Sequence, residues 1–483
     1  MDTSPVGSVP KTRLFEVAVL TTLLVTLYAI LIPRHEPWFD EAQAWLLVRD
    51  SSLVDLLNNR LRYEGHPCLW YLLLRIPMGL GLPYAAINWV SAGLSVAGAI
   101  VFWTYSPIPK LFRYLFPFSF FLFYQYGVIA RSYSLLPLFC FLFCILFPDR
   151  MKKPVPFTFV LAAISQISVH SALVALCWWG LYLWESKFPF RTFYRDRKSP
   201  QVQAAMLFVV SGLFLIFQLF PPSDILKPDF FDKDASLFFR MIYTMWNGPL
   251  AELWPLSLGI FAVSLFWFWL RGVLQWYLLP AVALSGLFGV LYGKAWHEGV
   301  VFCLWLSVLW LSFLPSTKKV STEMEANGCL LIRAAMACLL GVHVNWSLTS
   351  ARFDYAQPYS GAKALAGYLH EQHLEKASIV ATQFFAPAVL PYFDDNIFMN
   401  FNKGKRPSFF WWSNHYSMND TEKYILDNRP DLVIISYKYP DSSGKYVLTG
   451  YRKERIFVGD LYFKDRKLEP ETFVLYRRED FRR

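Results

Sequence analysis

Long apolar stretches recur through the first 346 residues and restrict the chain to folds that a lipid bilayer can hold. Apolar runs of about 18 residues or more are typical of transmembrane helices. Hydrophobic residues make up 55% of the 483 residues, whereas a soluble protein has about 45–50%. Because the last third of the chain has a soluble composition, the excess lies earlier. The sequence therefore predicts a polytopic α-helical membrane protein.

Basic residues between the apolar runs predict the orientation. Lys11 and Arg13 precede the first run, so the positive-inside rule places the N-terminus in the cytoplasm. The same rule predicts about eleven crossings within residues 1–346, with large outer loops at residues 34–83 and 221–250. These cytoplasmic clusters explain the net charge of +10, so we expect membrane lipids and no nucleic acid as partners.

Four segments within this region carry further predictions. The loop sequences DEAQAWLL and SSLVDLLNNRL have apolar residues at helical spacing, which predicts short helices on the outer membrane surface. Leu115 to Ile129 is predicted to cross outward. Phe157 to Trp184 has basic segments on both sides, which favours two short helices that meet near His170 and Ser171 and return the chain to the cytoplasm.

Residues 347–483 have a different composition, with strand patterns alternating with helical ones. KALAGYLHEQHLEK and TEKYILDNRP are predicted helices, whereas SIVAT, DLVIISYK and ETFVLYRR are predicted strands. This alternation indicates a small soluble α/β domain, which the crossing count places outside the cytoplasm. All seven cysteines lie before residue 340, so this domain needs no disulfide.

The sequence HEPWFDEAQAWLLVRD, just past the first apolar run, has two adjacent acids. Asp40 could accept a proton as a general base or hold a metal ion. Glu41 points about 100° away on a helix, so it is assigned to substrate binding or helix capping. The alternative for each is an interfacial charge that reaches water. Further ionisable residues share the predicted outer face: Glu64, His66, Arg131, His170, Lys294, His297 and Glu298.

Arg131 lies in YQYGVIARSYSLLPL, and its planar guanidinium suits two oxygens of a phosphate. Lys294 and His297 in GKAWHEG could add positive charge, or could belong to a structural loop. In the aromatic segment SFFWWSNHYSMND, Trp411 and Trp412 could stack on sugar rings or could rest the domain on the membrane. His370 and His373 share a predicted helix, but no third metal ligand accompanies them.

Three motifs in order resemble one family. FDEAQAW, EGHPCLWYLLL and ARSYSLL are similar to motifs of GT-C fold glycosyltransferases that use polyprenyl-phosphate sugars. The nearest relatives are protein O-mannosyltransferases and the bacterial enzymes that add aminoarabinose to lipid A. The resemblance covers residues 14–150 well and extends loosely to residue 346. Cys68 stands where the family usually has a second proline.

The resemblance implies an inverting transferase that moves a sugar from a polyprenyl-phosphate donor to a glycan, lipid or protein acceptor. Asp40 would be the general base, and Arg131 would bind the donor phosphate. Lys294 and His297, assigned mainly from topology, would assist Arg131, while Glu41 and His66 would contact the acceptor or substrate. No cofactor is required. A divalent metal, with Glu64 and Asp224 as candidate ligands, is the alternative.

Other functions fit the same composition: a transporter, a flippase or ligase of lipid-linked glycans, or a scaffold for envelope assembly. Transporters often contain internal repeats with broken helices in matching halves, and the sequence has no such repeat. Short loops and a plain N-terminus favour the bacterial inner membrane, with the active site on the extracytoplasmic face.

Overall fold

Helices make up most of the chain, as the apolar runs predict. The computed structural model describes residues 11–187, 198–225, 236–290, 293–316, 318, 320–382, 385–413, 421–437 and 448–481. In chain order, the α-helices are α1 (Lys11–Leu31), α2 (Phe39–Asp50), α3 (Leu53–Asp55), α4 (Leu61–Glu64), α5 (Leu69–Gly79), α6 (Ala86–Tyr105), α7 (Lys110–Leu115), α8 (Leu136–Leu146), α9 (Pro154–Ser165), α10 (Val169–Glu185), α11 (Pro200–Leu219), α12 (Ser236–Ile242), α13 (Trp254–Leu270), α14 (Leu274–Val290), α15 (Glu298–Ser312), α16 (Thr322–Ala356), α17 (Ala362–Glu371) and α18 (Thr421–Asn428).

Within the described ranges, six helical segments are long and apolar enough to cross a membrane. They are Lys11–Leu31, Ala86–Tyr105, Ser132–Asp149, Pro200–Leu219, Ala295–Ser312 and Thr322–Ala356. Shorter apolar helices accompany them. Several helices have exposed apolar faces, such as Val210, Leu213 and Ile216 of α11, which suit contact with lipid rather than water. The chain is thus a multi-pass membrane protein, and its eleven crossings stay a prediction.

Helix α15 lies at the centre of this bundle, with all its residues from Glu298 to Ser312 buried. Helix α1 lies at the periphery and is held against α6 at two levels. The hydroxyl of Tyr28 hydrogen-bonds with Ser95, 2.7 Å away. Arg13 donates from its Nε to the Trp103 carbonyl at 3.0 Å. Because residues late in α1 meet the middle of α6 and early ones meet its end, the two helices run antiparallel.

The predicted crossing from Leu115 to Ile129 is not a regular helix. After α7 the chain forms a 3₁₀ turn (Phe116–Phe118), a π-helical turn (Phe121–Gln125) and then non-helical backbone, almost all of it buried. Irregular backbone is tolerated at membrane depth only where protein satisfies its polar groups. Serine hydroxyls do so here, with Ser95 donating to the Leu122 carbonyl at 2.9 Å and Ser91 to the Tyr126 carbonyl at 3.0 Å.

Gly127 allows this irregular segment to pack closely against α1. A Cβ atom at Gly127 would lie 2.0 Å from the Tyr28 hydroxyl and 2.3 Å from the Phe123 carbonyl oxygen. Tyr28 donates a hydrogen bond to that same carbonyl at 2.9 Å. The tyrosine therefore occupies the space that a side chain at residue 127 would need. Periodicity alone cannot reveal this contact, because it joins residues far apart in the sequence.

The predicted break between two helices near His170 is present but lies slightly earlier. Helix α9 ends at Ser165 and α10 begins at Val169. Ser168 caps α10, since its hydroxyl accepts a hydrogen bond from the Ser171 backbone N–H at 3.1 Å. His170 is therefore in the first turn of α10 rather than between the helices.

The C-terminal region forms the predicted α/β structure. Its strands are β1 (Ile379–Thr382), β2 (Leu432–Tyr437), β3 (Tyr451–Phe457), β4 (Asp460–Phe463), β5 (Arg466–Pro470) and β6 (Thr472–Arg478). One sheet has the order β1-β2-β6-β3, with β1 and β2 parallel and the other pairs antiparallel. Strands β4 and β5 form a separate hairpin. The three predicted strands correspond to β1, β2 and β6.

Two predictions from the sequence, one about the domain boundary and one about α2, need correction. The boundary predicted at residue 346 falls inside α16, which continues as one helix to Ala356. The helices predicted from DEAQAWLL and SSLVDLLNNRL form, but α2 does not lie on a membrane surface, because most of its residues are buried. Its Arg49 donates to the Phe393 carbonyl at 2.7 Å, so the C-terminal region covers it.

A buried lysine joins the β4–β5 hairpin to the membrane helices. Lys464 has a positive φ of 61° in the turn of the hairpin, and its side chain is fully buried. Its ammonium lies 2.5 Å from Glu298 Oε2 and 2.7 Å from Glu252 Oε1, and it donates to the Gly248 carbonyl at 2.6 Å. Since all three ammonium hydrogens have acceptors, the buried charge is fully compensated.

Replacing Lys464 with methionine is expected to destabilise the protein strongly. The change leaves Glu298 buried without its cation, and breaking a buried pair from one side costs about 3–5 kcal/mol. Thermal unfolding in detergent would show this as a lowered Tm. The matched control is Lys467→Met in the same hairpin, because the exposed pair between Lys467 and Asp460 contributes about 1 kcal/mol or less. Equal Tm values for both variants would contradict the role of Lys464.

Candidate active site

A cavity of about 540 Å³ lies between the helix ends and the C-terminal region. Its ionisable side chains come from distant parts of the sequence: Asp40, Glu64, His66, Arg131, Lys294, His297 and Glu469. Its aromatic lining is Trp38, Phe39, Tyr63, Trp70, Tyr71, Trp296, Phe385 and Trp412. A concave aromatic pocket with a few converging charged groups is the usual form of a ligand site.

Asp40 and Arg131 form an ion pair in this cavity. Asp40 lies in the first turn of α2, and Arg131 immediately precedes the 3₁₀ turn Ser132–Leu135. Arg131 Nη2 lies 2.8 Å from Asp40 Oδ2, with both side chains partly exposed to the cavity. Burial raises the pKa of Asp40, while Arg131 opposes that rise. The result is a carboxylate that is more basic than usual and still has a cation beside it.

Glu41 does not line the cavity, so its predicted contact with substrate is corrected. Its carboxylate is fully buried and accepts hydrogen bonds from four groups. Oε1 accepts from Asn88 Nδ2 and from the Ala130 backbone N–H, each at 2.7 Å. Oε2 accepts from the Trp38 backbone N–H at 3.1 Å and faces His35 Nε2 at 3.2 Å. Glu41 is therefore the capping acid of α2, which was the alternative assignment.

His35 connects this acid to the end of α16. Its Nδ1 lies 2.9 Å from Asp354 Oδ2, on the opposite side of the ring from Glu41. Burial opposes the charged form of His35, but the two carboxylates outweigh burial and raise its pKa to about 10. A charged imidazole donates from both nitrogens, so His35 holds the two carboxylates together at neutral pH.

Glu64 is a cavity residue that the sequence placed on the outer face without assigning it a main role. Gln43 donates to Glu64 Oε1 at 2.8 Å, and Gln43 lies one turn after Asp40 on α2. Burial, with Asp40 adding to it, raises the pKa of Glu64 to about 8. Glu64 is therefore mainly protonated at neutral pH, and it supplies a neutral carboxyl beside Asp40.

The other predicted residues also lie at the cavity. Burial and Arg131 lower the pKa of His66 to about 4, so this imidazole is neutral. Lys294 and His297 flank a 3₁₀ turn that leads into α15, and the Lys294 backbone N–H donates to His297 Nδ1 at 3.2 Å. His297 stacks on His170 with ring centroids 4.0 Å apart. The structure thus brings together five of the six predicted residues.

The C-terminal region supplies a second wall of the cavity, formed by Phe385, Trp412, Leu468 and Glu469. Of these four, the sequence singled out only Trp412, as one of two tryptophans that could stack on sugar rings. Of the two tryptophans in SFFWW, only Trp412 lines the cavity. Trp411 packs behind the cavity wall, with the Arg60 guanidinium 4.0 Å from its ring centroid and the lining residue Tyr63 edge-on to it at 5.6 Å. Residues 414–420 of that aromatic segment lie outside the described residues.

The predicted metal alternatives do not come together. Among the residues that the structure describes, no three histidine, cysteine, aspartate or glutamate side chains are placed to hold a metal ion. Asp224 instead accepts hydrogen bonds from Tyr63 and Ser413, at 2.9 and 2.6 Å. His370 lies 2.9 Å from Glu375.

Comparisons with known proteins give little beyond this geometry. No protein-family model matches the chain, and no curated protein does. Among solved structures, the single-particle cryo-EM structure of the arabinofuranosyltransferase AftD from Mycobacteria aligns at 13% identity with a TM-score of 0.39. The alignment covers 95% of this chain and 39% of that one, so the chain spans about two fifths of its length. No property of this chain follows from a TM-score that low.

Glu64 is expected to make stability depend on pH. Because its pKa is raised to about 8, its stabilising contribution is complete below the pKa of an unfolded glutamate and is lost as the pH rises through about 8. Glu64→Gln has no such loss, so its Tm should exceed that of wild type by about 2–4 °C more at pH 9 than at pH 6. Thermal unfolding across this range tests the difference. Exposed Glu323→Gln is the control, and a similar pH trend in both variants would contradict the assignment.

Proposed function

We propose that this chain is an inverting glycosyltransferase that moves a sugar from a polyprenyl-phosphate donor to an acceptor hydroxyl on the extracytoplasmic face. The observation that carries the proposal is the Asp40–Arg131 ion pair, at 2.8 Å, within an aromatic cavity at the ends of apolar helices. The donor class follows the resemblance of the FDEAQAW and ARSYSLL motifs. The cavity chemistry suits both an anionic leaving group and a polyol.

The donor phosphate would bind to the cationic side of the cavity. Arg131 can offer two parallel N–H donors to phosphate oxygens, and Lys294 lines the same cavity. Both residues stand beside apolar helices, so a phosphate held there would leave its polyprenyl chain in the lipid. Positive charge at this point stabilises the phosphate as its negative charge develops in the transition state.

The reaction would be a single displacement at the anomeric carbon. The acceptor oxygen forms the new C–O bond while its proton moves to the Asp40 carboxylate. The bond from the anomeric carbon to the phosphate oxygen breaks, and polyprenyl phosphate leaves with the electron pair. One backside displacement inverts the anomeric centre. No nucleotide takes part, which agrees with a sequence that has no glycine-rich phosphate loop.

The ion pair also links donor binding to base strength. In the empty cavity Arg131 opposes the burial that raises the pKa of Asp40. A donor phosphate that shares Arg131 would weaken this opposition, so Asp40 would become more basic when the donor is present. The base would then reach its full strength only in the complex that can react.

The assignment of sides rests on charge at the two ends of the bundle. Arg13 and Arg113 both donate to the carbonyl of Ser106, at the end of α6, and the cavity lies at the other end, where α6 begins. Arg271 lies on the Arg13 side, because it pairs with Glu325 at the start of α16 and the far end of α16 meets His35 just after α1. Arg150 lies nearby, 5.8 Å from the Trp276 ring centroid. The positive-inside rule makes that end cytoplasmic and leaves the cavity outside.

Asp40→Asn is expected to abolish most transfer while the protein folds normally. Loss of a general base costs about a hundredfold to ten-thousandfold in rate. The measurement is release of polyprenyl phosphate by purified protein in detergent, with a panel of synthetic polyprenyl-phosphate sugars and a mixed acceptor extract. Equal release by wild type and variant would remove Asp40 from the mechanism. No release from any donor would favour a transporter or flippase.

Arg131→Gln tests the coupling within the ion pair. The donor KM should rise about tenfold or more, because a charge-assisted hydrogen bond is lost. The acid limb of the pH profile of kcat/KM should also move to higher pH, since the cation that lowers the pKa of Asp40 is gone. Exposed Arg452→Gln is the matched control. A raised KM with an unchanged acid limb would contradict the coupling.

Cysteine labelling tests the assignment of sides. Glu371 at the end of α17 and Lys152 before α9 are both exposed, and Cys338→Ala removes the exposed native thiol. A membrane-impermeant maleimide should label Glu371→Cys in spheroplasts and should label Lys152→Cys only after permeabilisation. The reverse pattern would place the cavity in the cytoplasm and contradict the proposal.

A further inference from the structure

The cavity wall from the C-terminal region differs chemically from the wall built by the membrane helices. The helix wall contains Asp40, Arg131 and Lys294, whereas the C-terminal wall consists of Phe385, Trp412, Leu468 and Glu469. Among the described residues of the second wall, none is a lysine or arginine. It therefore offers a flat apolar surface and one carboxylate. The negative charge of that carboxylate disfavours an anion on this wall.

Trp412 is held in register with the helix that carries Asp40. Two hydrogen bonds join Gln43 to the Phe410 backbone: Phe410 N–H donates to Gln43 Oε1 at 2.8 Å, and Gln43 Nε2 donates to the Phe410 carbonyl at 2.6 Å. Just past Trp412, the Ser413 hydroxyl donates to Asp224 at 2.6 Å. The segment is thus fixed on both sides of the tryptophan, and Gln43 sets its position one turn from Asp40.

Glu469 is fixed in a similar way from the hairpin. Lys464, at the hairpin turn, binds Glu298, which directly follows His297 of the cavity. Beyond the hairpin, Glu471 accepts from the Phe39 backbone N–H at 3.2 Å, next to Asp40. Glu469 therefore lies between two anchors, and each anchor ends beside a residue of the opposite wall. These contacts hold the second wall against the first.

From these contacts we infer that Trp412 and Glu469 form a saccharide subsite, so the acceptor is a neutral glycan. The apolar C–H face of a pyranose ring packs on an aromatic side chain, and a carboxylate accepts hydrogen bonds from sugar hydroxyls. Trp412 and Asp40 line the same cavity, so a hydroxyl of a sugar stacked on Trp412 would lose its proton to Asp40. The saccharide subsite follows from the residues of the wall. Its assignment to the acceptor rests on the proposed function.

Direct binding tests the subsite without requiring turnover. Saturation-transfer NMR on the full-length protein in detergent would use neutral trisaccharides of gluco, manno, galacto and arabino configuration, a phosphorylated disaccharide lipid and a serine-rich peptide. Wild type should bind at least one neutral trisaccharide with a Kd on the order of 1 mM. Trp412→Ala should weaken that binding about tenfold, and Glu469→Gln should weaken it as well.

The control is Trp184→Ala, since this tryptophan is exposed on α10 and does not line the cavity, and its loss should leave the Kd within about twofold. If Trp412→Ala fails to fold, Trp412→Phe takes its place. Because this variant keeps an aromatic ring, its Kd for the trisaccharide should lie between those of wild type and Glu469→Gln. Binding of no neutral trisaccharide, or binding of the peptide or phosphorylated lipid instead, would overturn the subsite. Trisaccharide binding that depends on Trp412, without transfer from any donor, would support the subsite and count against the proposed function alone.

Discussion

One buried carboxylate organises the candidate active site. Glu41 accepts hydrogen bonds from Asn88 of α6 and from the Ala130 backbone, while its other oxygen caps α2 at Trp38. Both members of the ion pair are neighbours of these hydrogen-bonded groups in the sequence, because Asp40 precedes Glu41 and Arg131 follows Ala130. Fixing the one carboxylate therefore fixes both members of the ion pair. Glu41 therefore supports both the loop before α2 and the irregular segment before Arg131.

Much of this arrangement could be predicted from the sequence, because charge and hydropathy are strong constraints in membranes. The apolar runs identify the helices, and the loop charges place Asp40, His66, Arg131, Lys294 and His297 on one side. The role of Glu41 could not be predicted, since an acid at the start of a helix has the same pattern whether it faces a cavity or caps the helix. Four hydrogen bonds from three separate segments make that distinction, and they appear only in the folded chain.

The residues that sequence analysis missed share a physical cause. The irregular segment after α7 depends on Tyr28 filling the space beside Gly127, a contact between residues about a hundred positions apart. Strands β3 and β5 are rich in charged, exposed residues, so they lack the apolar alternation that predicts strands. Lys464 looks like one more surface charge in that stretch, yet it is fully buried. A local sequence pattern cannot show which charged residue forms an ion pair with a residue on a distant helix.

The paired contacts of Gln43, Lys464 and Glu471 have a consequence for how such a chain can change over time. Each joins a residue of the C-terminal region to a residue that lies within three positions of Asp40 or His297 in the sequence. A C-terminal region taken from a related protein would therefore work only if it arrived with a compatible α2 and a compatible start of α15. We therefore expect the two parts to be inherited together, and the shape of the cavity to change through substitutions within the wall rather than through exchange of the whole wall.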